Sequence, residues 1–218
     1  MTAENTKISP EAKGRCTIRL VDDDPSVLRA LRAFLTMDDW QVECYASGKD
    51  FLASSLEAPG CLVLDVRMPG MTGIEVQEEM IRRGDRLPII FLSAHGDIEL
   101  AVDAVKRGAR TFLVKPPKPG KLLSEIESAC YADIERRKIE AYSESLERLW
   151  NTLTASEQEV ARLVAKGLSN STIGSILNIS ERTVRSHKEE IYSKLDVANA
   201  VETADFIRDM EASAEKRP

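Results

Sequence analysis

The chain has 218 residues, of which 43% are hydrophobic and 30% charged, and its formal net charge is −6. That length suits one or two domains, and the composition is that of a soluble globular protein rather than a disordered or fibrous one. No apolar stretch approaches the roughly 18 residues that span a bilayer, so no membrane association is expected and a cytoplasmic location is. Cys16, Cys44, Cys61 and Cys130 lie far apart without C-x-x-C spacing, so buried reduced thiols are expected rather than a metal site or disulfide.

In chain order, residues 1–15 are polar and interrupted by Pro10, which predicts a flexible tail. Thr17–Val21 is an apolar run ending in Asp22–Asp23, and Asp24–Pro25 is a cap with proline at the first helical position. Val27, Leu28, Leu31, Phe34 and Leu35 then recur at helical spacing. Val42–Cys44–Ala46 alternates as a strand does, and Ser47 with Asp50 is a variant capping box opening a second helix. The run from Cys61 to Leu64 ends in Asp65; Ile74, Met80 and Ile81 suggest a third helix. Ile89–Leu92 ends in Ser93, and Asp97 caps a fourth helix carrying Ile98, Ala101, Val102 and Val105 up to Gly108. Thr111–Val114 ends in Lys115, and a fifth helix begins near Gly120 with Leu122, Leu123 and Ile126. Five strands alternating with five helices predict an α/β fold, a doubly wound five-stranded parallel sheet.

If the runs are parallel strands, their polar ends gather on the carboxyl edge, where open α/β sheets bind ligands. Asp22, Asp23 and Asp65 would then repel one another without a counter-ion. Mg2+ suits them, since it takes oxygen ligands and keeps several waters, and the backbone carbonyl of Arg67 offers a further oxygen. Asp65 is the natural nucleophile toward phosphorus, because carboxylates form acyl phosphates. Lys115 and the metal would stabilise the phosphoryl oxygens, and Ser93 could hydrogen-bond the group once attached. Aspartyl-phosphate phosphatases of the haloacid dehalogenase type place a second Asp two residues after the nucleophile. Arg67 stands there, so a lasting acyl phosphate is expected rather than turnover; after residue 130, where His187 is the only histidine, no candidate site for an enzymatic output is found and none is expected.

The motifs Val21–Asp22–Asp23, Leu64–Asp65–Val66–Arg67–Met68–Pro69–Gly70, Ser93–Ala94–His95–Gly96–Asp97 and Lys115–Pro116 resemble those of a response-regulator receiver domain. The resemblance spans residues 16–130 and implies a flavodoxin-like fold. It implies Asp65 as phosphoacceptor, Asp23 as a direct magnesium ligand, Asp22 acting mainly through water, Ser93 as switch hydroxyl and Lys115 as the family's lysine. Phe112 matches the switch aromatic of that family. Pro117 departs from it, standing where an aromatic is common.

Residues 131–150 form a charged stretch without Gly or Pro, expected as a helical linker. Its Ile139, Tyr142, Leu146 and Leu149 follow a 3-4-3 spacing that fits either a dimer contact or packing within the chain. Residues 151–212 are expected as an all-α helix-turn-helix domain, followed by a tail over 213–218. Thr154 to Glu157 is a capping box ahead of Val160, Leu163 and Val164; Ile173, Ile176 and Leu177 mark a second helix. Ser180 caps a third with Val184, Ile191 and Leu195 inward, and Asn199 with Glu202 caps a fourth carrying Val201, Ala204 and Ile207. The third helix presents Arg182, Arg185, Ser186, Glu189 and Ser193 outward, suited to base edges, with Lys188 and Lys194 suited to phosphates.

The block Leu153–Thr154, Glu157, Gly167–Leu168–Ser169–Asn170, Ile179–Ser180, Thr183–Val184, His187, Ile191 and Lys194–Leu195 resembles a LuxR-type helix-turn-helix, which adds Thr183 to the DNA-facing set. Ser171 and Ala200 stand where that family is often basic, and Glu189–Glu190 is unusually acidic. From Asn151 to Pro218 there are 11 acidic and 9 basic residues, a net of −2, so non-specific attraction to DNA should be weak. Together the halves resemble a two-component response regulator of the FixJ/NarL type. That resemblance implies a partner histidine kinase, homodimerisation on phosphorylation through the fourth helix and fifth strand, and binding to double-stranded promoter DNA. A phosphorylation-independent DNA binder and a protein-binding adaptor are the alternatives.

Overall fold

The computed structural model describes residues 8–94 and 103–215, in two compact units divided between Arg137 and Lys138. The first carries α1 (Pro10–Lys13), β1 (Thr17–Val21), α2 (Pro25–Thr36), β2 (Gln41–Tyr45), α3 (Gly48–Leu52), β3 (Gly60–Asp65), α4 (Gly73–Arg83), β4 (Ile89–Ser93) and β5 (Thr111–Val114). Residues 103–106 are also helical. His95–Gly96–Asp97, with Ile98, Ala101 and Val102, lies outside the described residues. A 32-residue helix, α5 (Pro119–Trp150), begins in this unit and runs across the dividing point. Among the described residues, no helix is long and apolar enough to cross a membrane.

The strands form one parallel sheet in the order β2-β1-β3-β4-β5, the doubly wound arrangement the alternation predicts. Because successive strand residues face opposite sides, each strand feeds two cores. Ile18, Leu20, Val63, Ile90, Leu92 and Leu113 meet Leu28 and Leu35 of α2 and Leu122, Ile126 and Ala129 of α5. Leu62, Leu64, Ile89 and Phe91 meet Phe51 of α3 and Val76 and Met80 of α4.

Local chemistry sets the helix starts. Asp24 accepts from the Ser26 amide and Pro25 is at the first turn of α2, while Ser47 accepts from the Asp50 amide at α3. Part of the segment expected as a flexible tail is built into the fold: Ile8 joins the first core, and Lys13 sits over the Trp40 ring and pairs with Asp38 at 2.7 Å. Ile81, expected inward, is exposed, because the buried stripe of α4 runs through Gly73, Val76, Gln77 and Met80. Val105 is likewise exposed.

The second unit is helical: the end of α5, then α6 (Ala155–Ala165), α7 (Asn170–Leu177), α8 (Glu181–Leu195) and α9 (Ala200–Glu215). Its core gathers Leu146, Trp150, Val160, Val164, Ile173, Val184, Ile191, Leu195, Phe206 and Ile207. Of the 3-4-3 series, Leu146 and Leu149 belong to this core, while Ile139 and Tyr142 are 53% and 51% exposed. Ile176 and Val201, expected inward, are exposed; buried Thr203 takes the inward place in α9, its hydroxyl donating to the Asn199 carbonyl at 2.9 Å.

Candidate functional site

The sheet register puts the polar ends side by side. Val21 pairs with Leu64, Asp65 with Leu92 and Ser93 with Val114, so Asp22, Asp65, Ser93 and Lys115 follow along one edge. That edge includes the point between β1 and β3 where the strand order reverses, the usual ligand crevice of such sheets. The amide of Lys115 donates to the Ser93 carbonyl at 2.7 Å, extending the ladder by one residue and fixing where its side chain starts. The Lys115–Pro116 peptide is cis.

Carboxylate oxygens of Asp22, Asp23 and Asp65 lie within 4.8 Å of one another. The Lys115 ammonium bridges two of them, at 2.6 Å from Asp22 Oδ2 and 2.7 Å from Asp65 Oδ1. Asp22 Oδ1 accepts from the Asp24 amide at 3.0 Å, so Asp22 is held from both sides. Asp22 and Asp65 are buried and Asp23 is exposed. Burial pushes the Asp65 carboxyl above its ordinary range, against the opposing pull of Lys115 and with help from Asp22 and Asp23. Burial acts to lower Lys115, but its hydrogen bonds to Asp22 and Asp65 outweigh that, and its net shift is upward. Three carboxylates therefore gather beside one ammonium, which pairs with two of them.

Gly73, which sequence reasoning missed, lets this edge form. Its amide donates to the Val66 carbonyl at 3.0 Å, and a Cβ there would lie 2.2 Å from the Asp65 carbonyl oxygen. Only glycine lets the start of α4 approach the Asp65 backbone this closely. The legible signal was the Thr72–Glu75 capping box, whose N1 residue is Gly73. Ser93 is buried, with its hydroxyl 3.1 Å from the Ala94 carbonyl, Phe112 is half-buried against the second core, and Arg67 is exposed.

In the second unit, α7 and α8 are joined through Asn178, which takes a left-handed conformation, and Ser180, whose hydroxyl accepts from the Thr183 amide. This is a helix-turn-helix. Val184, Ile191 and Leu195 of α8 are buried, and Arg182, Thr183, Arg185, Ser186 and Glu189 are exposed. Lys188 is half-buried, reaching Asn170 Oδ1 at 3.3 Å and the Tyr192 ring. One expectation needs correction: Lys194 does not stand free for a phosphate. Its ammonium lies 2.8 Å from both carboxylate oxygens of buried Glu157, the third residue of the α6 capping box. Its flexible stem folds back from a position that helical spacing places near the surface.

Two family descriptions fit these units. "Response regulator receiver domain" matches residues 18–127, and "Bacterial regulatory proteins, luxR family" matches residues 151–207. The chain belongs to the response regulators. This response regulator is 38% identical to the response regulator protein TodT of Pseudomonas putida, over 84% of its own length and 81% of TodT. Among solved structures it resembles the response regulator StyR, with 40% identity, a TM-score of 0.85, and coverage of 89% of this chain and 98% of StyR. Full-length FixJ from B. japonicum matches with 30% identity and a TM-score of 0.55, over 91% and 98% of the two chains. The response regulator thus joins a receiver domain to a LuxR-type DNA-binding domain, and its relatives regulate transcription in two-component systems.

Proposed function

We propose that a partner histidine kinase transfers its phosphoryl group to Asp65, and that the modified protein pairs with a second copy and binds promoter DNA through α8. The observation that carries this is the charge imbalance at the sheet edge: three carboxylates within 4.8 Å, with Lys115 on two of them. The donor set also fits Mg2+, which prefers hard oxygen ligands. Asp22, Asp23, Asp65 and the Arg67 carbonyl would hold it, and when bound it would supply positive charge to the phosphoryl oxygens.

Asp65 Oδ1 is occupied by Lys115, so Oδ2 is the attacking atom. Its O–P bond forms as the P–N bond of the kinase phosphohistidine breaks, and the imidazole keeps the electron pair and takes up a proton. Lys115 neutralises charge on the incoming group. The Ser93 hydroxyl then turns from the Ala94 carbonyl toward the phosphoryl oxygens, and Phe112, on the adjacent strand, moves into the space released. The change shifts a two-state equilibrium toward a form that dimerises through the surface around β5. Arg182, Thr183, Arg185, Ser186, Lys188 and Glu189 then face the two half-sites. The phosphoryl group ends on the protein itself, in the cytoplasm, and the output is transcriptional.

The test is acetyl phosphate with Mg2+ read on a phosphate-affinity gel, with footprinting on the same samples. Wild type should show a shifted band and gain protection of promoter DNA, and Asp65→Asn should show neither. A shifted band of equal intensity in Asp65→Asn would overturn the reading.

A further inference from the structure

The outward stripe of α8 contains a residue whose charge is wrong for DNA in general. Arg182, Ser186, Glu189 and Ser193 follow one another at steps of four, three and four residues, with Arg185 alongside. All are exposed, opposite the buried Val184, Ile191 and Leu195. Glu189 thus lies at the middle of the surface that a helix-turn-helix turns to the major groove. The half-buried charges of this unit are engaged: Lys194 with Glu157, Lys188 with Asn170. Among the described residues no hydrogen bond or ion pair engages Glu189, Arg182 or Arg185, so these three are ready to meet a ligand.

A carboxylate at this place is repelled by phosphates. Its one favourable partner on a duplex is a hydrogen-bond donor on a base edge. Cytosine presents N4–H2, whereas adenine presents its amino group beside the N7 acceptor, which repels a carboxylate. Arg185, one turn earlier, has the fork that matches guanine O6 and N7. From Arg182 to Glu189 the helix rises about 10 Å, roughly three base pairs at 3.4 Å each. With a net charge of −2 over residues 151–218, little non-specific attraction masks the penalty.

We propose that Glu189 is a specificity-determining residue that requires a cytosine at one position of each half-site and rejects duplexes lacking it. This rests on the DNA-binding reading of α8 given above. The carboxylate acts twice, accepting from the correct base and repelling DNA that offers no donor there. Weak general affinity is thereby exchanged for discrimination.

The experiment is selection from a pool of randomised 30-base-pair duplexes, using the full chain treated with acetyl phosphate and Mg2+. Wild type, Glu189→Ala and Glu189→Gln are compared. Wild type should enrich cytosine at one position per half-site by about 10–100-fold over the other bases. Glu189→Ala should lose the preference at that position alone, keep the rest of the selected site, and bind non-specific duplex more tightly. Glu189→Gln, which carries a donor and an acceptor, should move the preference toward adenine. An unchanged cytosine preference in Glu189→Ala, or a wild-type site with no cytosine dependence, overturns the inference while leaving DNA binding intact. If wild type enriches no sequence at all, the DNA-binding reading fails and the inference fails with it.

Discussion

Strand β3 has a buried aspartate at each end, and the two differ in everything except burial. At its carboxyl end Asp65 is 6% exposed and shares the Lys115 ammonium with Asp22, with Asp23 close by. At its amino end Asp133, reaching from α5, is 0% exposed. It accepts from the Gly60 amide at 3.0 Å and from Arg137 Nε at 2.8 Å, and it also pairs with Arg136. Arg137 goes on to donate to the carbonyls of Glu57 and Leu56, so the Asp133 cluster also closes the loop leading into β3. Among the described residues, Asp133 is one carboxylate among surplus donors, and Asp65 is one of three carboxylates beside the Lys115 ammonium. Burial alone therefore does not mark a reactive site, whereas the local charge balance does. The saturated end fixes the strand, and the deficient end is left to be completed from outside.

The largest effect that would break this contrast is at the saturated end. Asp133→Ala leaves the buried Gly60 amide without its acceptor and removes the carboxylate that Arg136 and Arg137 share, and should destabilise the first unit by about 3–5 kcal/mol in urea unfolding. A loss below about 1 kcal/mol, the level of an exposed pair, would mean that Asp133 is no more structural than a surface charge. Next comes the backbone beneath Asp65. Gly73→Ala forces a Cβ to within 2.2 Å of the Asp65 carbonyl oxygen, and should cost about 1–3 kcal/mol. The same substitution should slow labelling by acetyl phosphate, since α4 must shift and carry the Asp65 backbone with it.

A smaller effect sharpens the contrast from the deficient side. Mg2+ at ten times its dissociation constant should stabilise wild type by about 1.4 kcal/mol. Asp23→Asn should lose most of that gain, and stripping the metal with a chelator should remove it in wild type. Asp133→Asn should keep the gain, being at the other end of the strand. Equal stabilisation of wild type and Asp23→Asn by Mg2+ would show that the carboxylate cluster is not where the ion acts.

The site could be read from the chain because its residues punctuate apolar runs: Asp65 and Ser93 end their strands, Asp22 and Lys115 follow theirs, and parallel strands bring such ends together. Asp133 gave no such signal. It sits among Glu135, Arg136, Arg137 and Lys138, where alternating charges on a helix usually mean a solvated face, and its Gly60 partner comes from 73 positions away. For Gly73 the Thr72–Glu75 capping box marked a helix start, but not its close approach to a backbone atom of another element. Ile81 and Ile176 misled for a different reason. A stripe on a helix is about 100° wide, and an apolar residue one position beyond it faces solvent, as both do. Lys194 misled because spacing locates a Cα, whereas a four-carbon stem decides where the charge ends up.

Glu157 provides the intermediate case, one buried carboxylate facing one ammonium. The hydrogen bond from Lys194 holds its carboxyl below the ordinary value of 4.5, with further help from Thr154. A carboxylate whose folded pKa is depressed contributes stability above its unfolded value, and that contribution is lost as pH falls through the folded value. Lys194→Met keeps the apolar stem and removes the charge. It should cost about 1 kcal/mol near neutral pH, and the gap to wild type should close as pH drops below about 4.5. The salt dependence of DNA binding decides what Lys194 is for. If the ammonium is committed to Glu157, the slope of log K against log salt should be the same in Lys194→Met and wild type. If it reaches a phosphate, the slope should fall by about one. A fall of that size would return Lys194 to the DNA-contacting set and leave Glu157, like Asp65, as a buried carboxylate whose cation can be drawn away by a ligand.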